Sequence, residues 1–228
     1  MNNIKSLLSI AVTCLVLQAT YAQDWPNLAR FQEENTKLMN QTPDENRVVF
    51  MGNSITEGWL NMRPEFFADK PFVNRGIGGQ TTPQMLVRFR QDVIALKPST
   101  VVILAGINDI AGNTGPSTLE MIFDNIQSMA EIAMANDIKV LLCSVLPAAD
   151  FPWRPGLEPA GKVVQLNAML KSFADDHEEM LYVDYFSAMV NGSNGLQQEL
   201  GYDGVHPNEA GYRVMEPILE KALAAIRQ

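Results

Sequence analysis

The chain's 228 residues suffice for one sizeable core and predict a single domain. A net charge of −9 lacks the basic footprint that nucleic acid requires, which excludes that class of partner. Two histidines and two cysteines, Cys14 and Cys143, are too few and too scattered for a zinc site at ordinary spacing.

In chain order, residues 1–22 read as a cleaved secretory leader. Lys5 is the only charged side chain before Asp24, residues 7–17 form an apolar stretch too short to span a membrane well, and Thr20 and Ala22 are small residues where a signal peptidase inspects them. A buried N-terminal helix fits the Ala22-Gln23 junction less well, and Thr13 is a poor residue before a lipidated Cys14. The expectation is a secreted or periplasmic domain over residues 23–228, one unit more negative once Lys5 is gone. No second apolar stretch reaches spanning length, so no stable membrane insertion is expected. Cleavage leaves Cys143 alone in Val140-Leu141-Leu142-Cys143, without a disulfide partner and best read as a small buried hydrophobe.

Five apolar runs then read as buried strands, over 47–51, 72–74, 100–105, 138–145 and 180–184. Between them apolar residues recur at helical spacing: Met85, Phe89 and Val93; then Leu119, Ile122, Phe123, Ile126 and Met129; then Val164, Leu166, Met169, Leu170 and Phe173. Continuous apolar strands alternating with amphipathic helices predict an α/β fold, a parallel sheet covered on both sides as a three-layer sandwich. No repeat, low-complexity tract or linker interrupts it. The longest irregular stretch, 147–161, carries four prolines with Trp153 and Arg154.

Three chemically useful groups follow successive strands: Ser54 the first, Gly79 the second, Asn108 the third. In open α/β sheets, sites form beyond the carboxyl ends of the strands. Near the C-terminus, Asp203-Gly204-Val205-His206 adds a base and a carboxylate one turn away that can fix its tautomer. His206 is singled out because the other histidine, His177, lies in the acidic run 175–179 and reads as a solvated helix end. Pro207 holds His206 away from helical angles at the lip of the final helix. Nucleophile, oxyanion donors, base and orienting carboxylate are what acyl transfer to water needs. Each residue also has a plainer reading: Ser54 as a helix N-cap, Gly79 as a turn glycine, Asn108 as a turn-former, Asp203 as a cap beside a surface histidine. A nucleotide-binding reading of Gly76-Ile77-Gly78 fails, because Thr81 stands where the dinucleotide fingerprint wants glycine and no Gly-Lys-Ser/Thr occurs.

The blocks Gly52-Asn53-Ser54-Ile55-Thr56, Gly76-Ile77-Gly78-Gly79-Gln80-Thr81-Thr82, Gly106-Ile107-Asn108-Asp109 and Asp203-Gly204-Val205-His206 resemble, in order, those of the SGNH or GDSL-type hydrolases. The nearest branches are the platelet-activating-factor acetylhydrolase-like enzymes and the carbohydrate acetylesterases, and the resemblance spans residues 47–226. It implies a five-stranded flavodoxin-like sheet and no cofactor or metal. It also implies Ser54 as nucleophile, His206 as base, Asp203 as its orienter, and an oxyanion hole of Ser54 N–H, Gly79 N–H and the Asn108 amide. Asn53 departs from the family's aspartate, which touches none of these roles. The expected activity is that of an exported serine esterase removing short acyl groups, chiefly acetyl from carbohydrate, with a glycan or small-molecule ester as its partner. A lysophospholipase or thioesterase is the alternative within the fold, and a non-catalytic binding module the alternative outside it. Trp153 and Arg154 suit a sugar ring, an aromatic face beside a guanidinium; Trp153 pinning the loop to the core is the other reading.

Overall fold

The computed structural model describes residues 24–227, and the leader expected at 1–22 lies outside them. Five strands, β1 (Val48–Gly52), β2 (Phe72–Gly76), β3 (Thr100–Leu104), β4 (Lys139–Cys143) and β5 (Met180–Val183), pair in parallel in the order β2-β1-β3-β4-β5. This is the flavodoxin-like order, whose topological switch lies where β1 meets β3. The helices are α1 (Gln32–Met39), α2 (Ser54–Met62), α3 (Pro64–Phe67), α4 (Thr82–Asp92), α5 (Ile107–Ile110), α6 (Leu119–Met134), α7 (Pro159–Asp175), α8 (Phe186–Met189) and α9 (Glu209–Ile226). α4, α6 and α7 pack side by side on one face of the sheet, and α2 and α9 cover the other. Every residue of β1 and β3 is buried, which explains their unbroken apolar runs. Among the described residues no helix is long and apolar enough to cross a membrane.

Register sets up the site. Gly52 at the end of β1 pairs with Gly76 of β2 on one side and Leu104 of β3 on the other. β2, β1 and β3 therefore stop at one height, and their loops leave from a common rim.

Two strand ends differ from expectation by two residues, and the other strand limits by one at most. β2 runs to Gly76 rather than 74, because Arg75, a residue that usually marks a surface, is buried with its guanidinium 4.6 Å from the centre of the Phe31 ring and Nε donating to Asn35 Oδ1 at 2.9 Å. β4 stops at Cys143 rather than 145, because Asn167 of α7 takes over the next backbone groups: Val145 N–H donates to Asn167 Oδ1 (2.8 Å) and Asn167 Nδ2 donates to Val145 C=O (2.9 Å). The buried stripe of α7 is Val163, Leu166, Leu170 and Ala174; Val164, expected on it, is 41% exposed. α1 was invisible to apolar periodicity because the residue it buries is the polar Asn35.

Candidate active site

β1 ends at Gly52 and α2 begins at Ser54, with Asn53 as its cap: Asn53 Oδ1 accepts from Ile55 N–H at 3.0 Å. An amide oxygen thus does the capping that the N-cap reading gave to Ser54, and Ser54 Oγ is free to face the C-terminal block. It lies 2.9 Å from His206 Nε2, and His206 Nδ1 lies 2.7 Å from Asp203 Oδ2. The other carboxylate oxygen, Asp203 Oδ1, accepts from the N–H groups of His206 (2.8 Å) and Val205 (3.0 Å). Gly204 holds φ at +82°, a left-handed turn that lets a carboxylate three residues back reach the ring. Burial pushes the Asp203 carboxyl up, but the bonds from His206 and Val205 outweigh it and hold the group below the usual range. The result is an ionised carboxylate on one imidazole nitrogen and a hydroxyl on the other. Such a chain can take a proton from the hydroxyl and stabilise the imidazolium that forms.

The β2–α4 loop lies beside it. Gly78 N–H donates to Glu57 Oε2 at 2.9 Å, so Gly78 is engaged. Among the described residues Gly79 N–H has no acceptor, and its φ of +75° permits the turn that presents it. Asn108, buried at the start of α5, donates one Nδ2 hydrogen to Gln80 C=O (2.9 Å), which leaves its second hydrogen available. Asn113 Nδ2 donates to Gly79 C=O at 3.1 Å. The neighbouring Asp109 accepts from Thr82 N–H (3.0 Å) and Thr82 Oγ1 (2.6 Å); burial pushes its carboxyl up to about 6 despite those bonds.

The remaining expected residues separate. Trp153 stands with its ring 5.8 Å from that of His206 and is 47% exposed; Phe151, fully buried and 5.4 Å from Trp153, pins the loop instead. Arg154 is not brought to this cluster: its Nη1 donates to the carbonyls of Ala111 (2.7 Å) and Gly112 (3.0 Å), tying the loop to the end of α5. His177 lies near the opposite edge of the sheet, before β5, bonded through Nδ1 to Phe173 C=O at 2.8 Å. Burial pushes the Cys143 thiol up to about 12, which makes it inert. Sequence reasoning missed Tyr202, 60% exposed and stacked on His206 with ring centres 5.6 Å apart, although it adjoins Asp203. It also missed Glu57, whose only cue was a place one helical turn after Ser54.

A sequence profile described as the GDSL-like Lipase/Acylhydrolase family matches residues 50–214. Esterase TesA of Pseudomonas aeruginosa is 29% identical over 75% of this chain and 84% of its own length. An acetylxylan esterase of Geobacillus stearothermophilus is 27% identical over 63% of this chain and 67% of its own. Among solved structures, a presumed acylhydrolase of Bacteroides fragilis is 50% identical and superposes with a TM-score of 0.86 over 90% of this chain and all of its own.

Proposed function

The chain belongs to the GDSL-like lipase/acylhydrolase family, a family of serine ester hydrolases, and from that premise we propose that it is exported and removes acetyl groups from carbohydrate through an acyl-enzyme intermediate. The observation that carries the mechanism is the unbroken relay of Ser54 Oγ, His206 and Asp203, at 2.9 and 2.7 Å, beside the free N–H of Gly79. Ser54 Oγ attacks the ester carbonyl carbon while His206 Nε2 takes its proton. The tetrahedral oxyanion is held by Ser54 N–H, Gly79 N–H and the second Asn108 hydrogen, donors fixed in place before charge develops. Collapse expels the alkoxide, which recovers the proton from His206. A water molecule activated by the same base then releases acetate and restores Ser54.

The acyl and alcohol preferences rest on the rim. Trp153 and Tyr202 expose aromatic faces beside His206, surfaces suited to a sugar ring, and one relative is named an acetylxylan esterase. Export rests on the character of residues 1–22.

The test combines fluorophosphonate labelling with a chain-length series. Wild type should be labelled and Ser54→Ala should not, and hydrolysis of p-nitrophenyl esters should be fastest for acetate. Acetylated xylan should release acetate, and Trp153→Ala should lower that rate more than the p-nitrophenyl acetate rate. A series peaking at octanoate or longer would replace the carbohydrate reading with a lipase or thioesterase.

A further inference from the structure

Gln80, next to Gly79, makes four hydrogen bonds from a position 3% exposed. Its C=O accepts from the Asn108 amide at 2.9 Å, and its N–H closes the turn on Ile77 C=O at 3.3 Å. Its side-chain oxygen accepts from Arg88 Nε at 2.6 Å, and its side-chain nitrogen donates to Pro26 C=O at 2.7 Å. Arg88 on α4 is fully buried and uses the rest of its fork on the same neighbourhood. Its Nη2 donates to Gly52 C=O (3.1 Å), two residues before Ser54, and its Nη1 to Asp92 Oδ2 (3.0 Å). Asp92 in turn accepts from Asn35 Nδ2 of α1 at 2.6 Å. One guanidinium thus grips both the strand end that delivers Ser54 and the residue lying between Gly79 and Asn108. A planar donor fork fixes direction as well as distance, and it does so best where water cannot compete. Pro26 and Asn35 lie ahead of residues 50–214, so the support reaches into a segment outside the family match.

We propose that Gln80 is the positioning residue of the oxyanion hole: its main chain spaces the Gly79 and Asn108 donors, and its side chain, held by Arg88 and the Pro26 carbonyl, locks them relative to Ser54. The proposal rests on the reading of Gly79 and Asn108 as oxyanion donors. Displacement of such donors by a fraction of an ångström weakens contacts that matter in the transition state more than in the bound ester, so the loss belongs in kcat.

The experiment measures kcat and KM for p-nitrophenyl acetate in purified Gln80→Met, Gln80→Glu, Asn108→Ala and Gln80→Met/Asn108→Ala, with a melting curve for each. Gln80→Met keeps the side chain's length and removes both of its hydrogen bonds. It should lower kcat about tenfold to a hundredfold with KM within about threefold. Gln80→Glu still offers Arg88 an acceptor but sets an oxygen against Pro26 C=O, so its kcat should lie between those of Gln80→Met and wild type. The double variant should be no more than about threefold slower than Asn108→Ala, because the two residues act through one structure. A merely structural role would lower the melting temperature without that kinetic pattern. Gln80→Met with kcat within about threefold of wild type, or losses that multiply in the double variant, would overturn the proposal, as would Gln80→Glu as slow as Gln80→Met. Asn108→Ala alone separates the underlying reading: full activity there would remove the oxyanion hole itself, whereas a slow Asn108→Ala with a fast Gln80→Met removes only the role of Gln80. If Gln80→Met does not fold, Gln80→Asn, one methylene too short to hold Arg88 and Pro26 together, is read by the same criteria.

Discussion

At the scale of single residues, two histidines of one chain stand in opposite circumstances. His206 joins a hydroxyl to a carboxylate, while His177 bonds a main-chain carbonyl at a helix end. His206→Ala should abolish ester hydrolysis and His177→Ala should leave kcat/KM within about twofold, measured on p-nitrophenyl acetate. An inactive His177→Ala would reverse the assignment. Asp109 makes a prediction of a different kind. Its folded carboxyl titrates at about 6, above its ordinary 3.8, because burial disfavours the charge. The stability it contributes is therefore complete below its unfolded value and lost as pH rises through about 6. Asp109→Asn keeps an oxygen for both Thr82 donors and carries no such loss. Its stability relative to wild type should climb between about pH 4 and pH 7, by at most about 3 kcal/mol, and level off above. Parallel stability–pH curves for the two proteins would refute this.

Elements show what the sequence could and could not reveal. β1 and β3 were legible because both faces are covered, so nearly every position had to be apolar. The fold class followed from those runs, and the places of Ser54, Asn108 and His206 followed from strand ends and from the scarcity of histidine. The end of β2, all of α1 and the support behind the Gly79 loop were not legible, since polar side chains build them. Arg75, Asn35, Arg88 and Gln80 look like surface residues until partners up to 57 positions away enclose them. Val163 and Val164 are indistinguishable by composition, and only packing decides which one turns inward. Asn167 is the most exacting of these hidden groups, because among the described residues it is what satisfies both backbone groups of the buried Val145. Asn167→Leu should cost about 2–4 kcal/mol by stranding an N–H and a C=O, read as a fall of several degrees in Tm. An unchanged Tm would mean that other groups or water satisfy Val145.

Taken whole, the molecule brings distant parts of its sequence together at the candidate site. Ser54 follows the first strand, whereas Asp203 and His206 arrive just before α9, a separation of 152 positions for the Ser54–His206 bond. α9 is seated on α2 by Tyr212, whose hydroxyl donates to Ile55 C=O at 2.8 Å and whose ring stacks on Trp59, and by Glu216, 2.8 Å from Arg63 Nε. Parallel sheets close long loops and assemble slowly, and α9 can dock only on a surface that already exists. In refolding from denaturant, esterase activity should therefore return after the far-UV signal of the sheet and helices, and Tyr212→Phe should widen the interval. Activity recovered in step with the earliest spectroscopic phase would contradict this order. A polypeptide emerging from its amino end thus carries its hydroxyl long before it can use it. On that order hydrolysis should begin only when α9 comes to rest, so the onset of catalytic competence should report the docking of that helix.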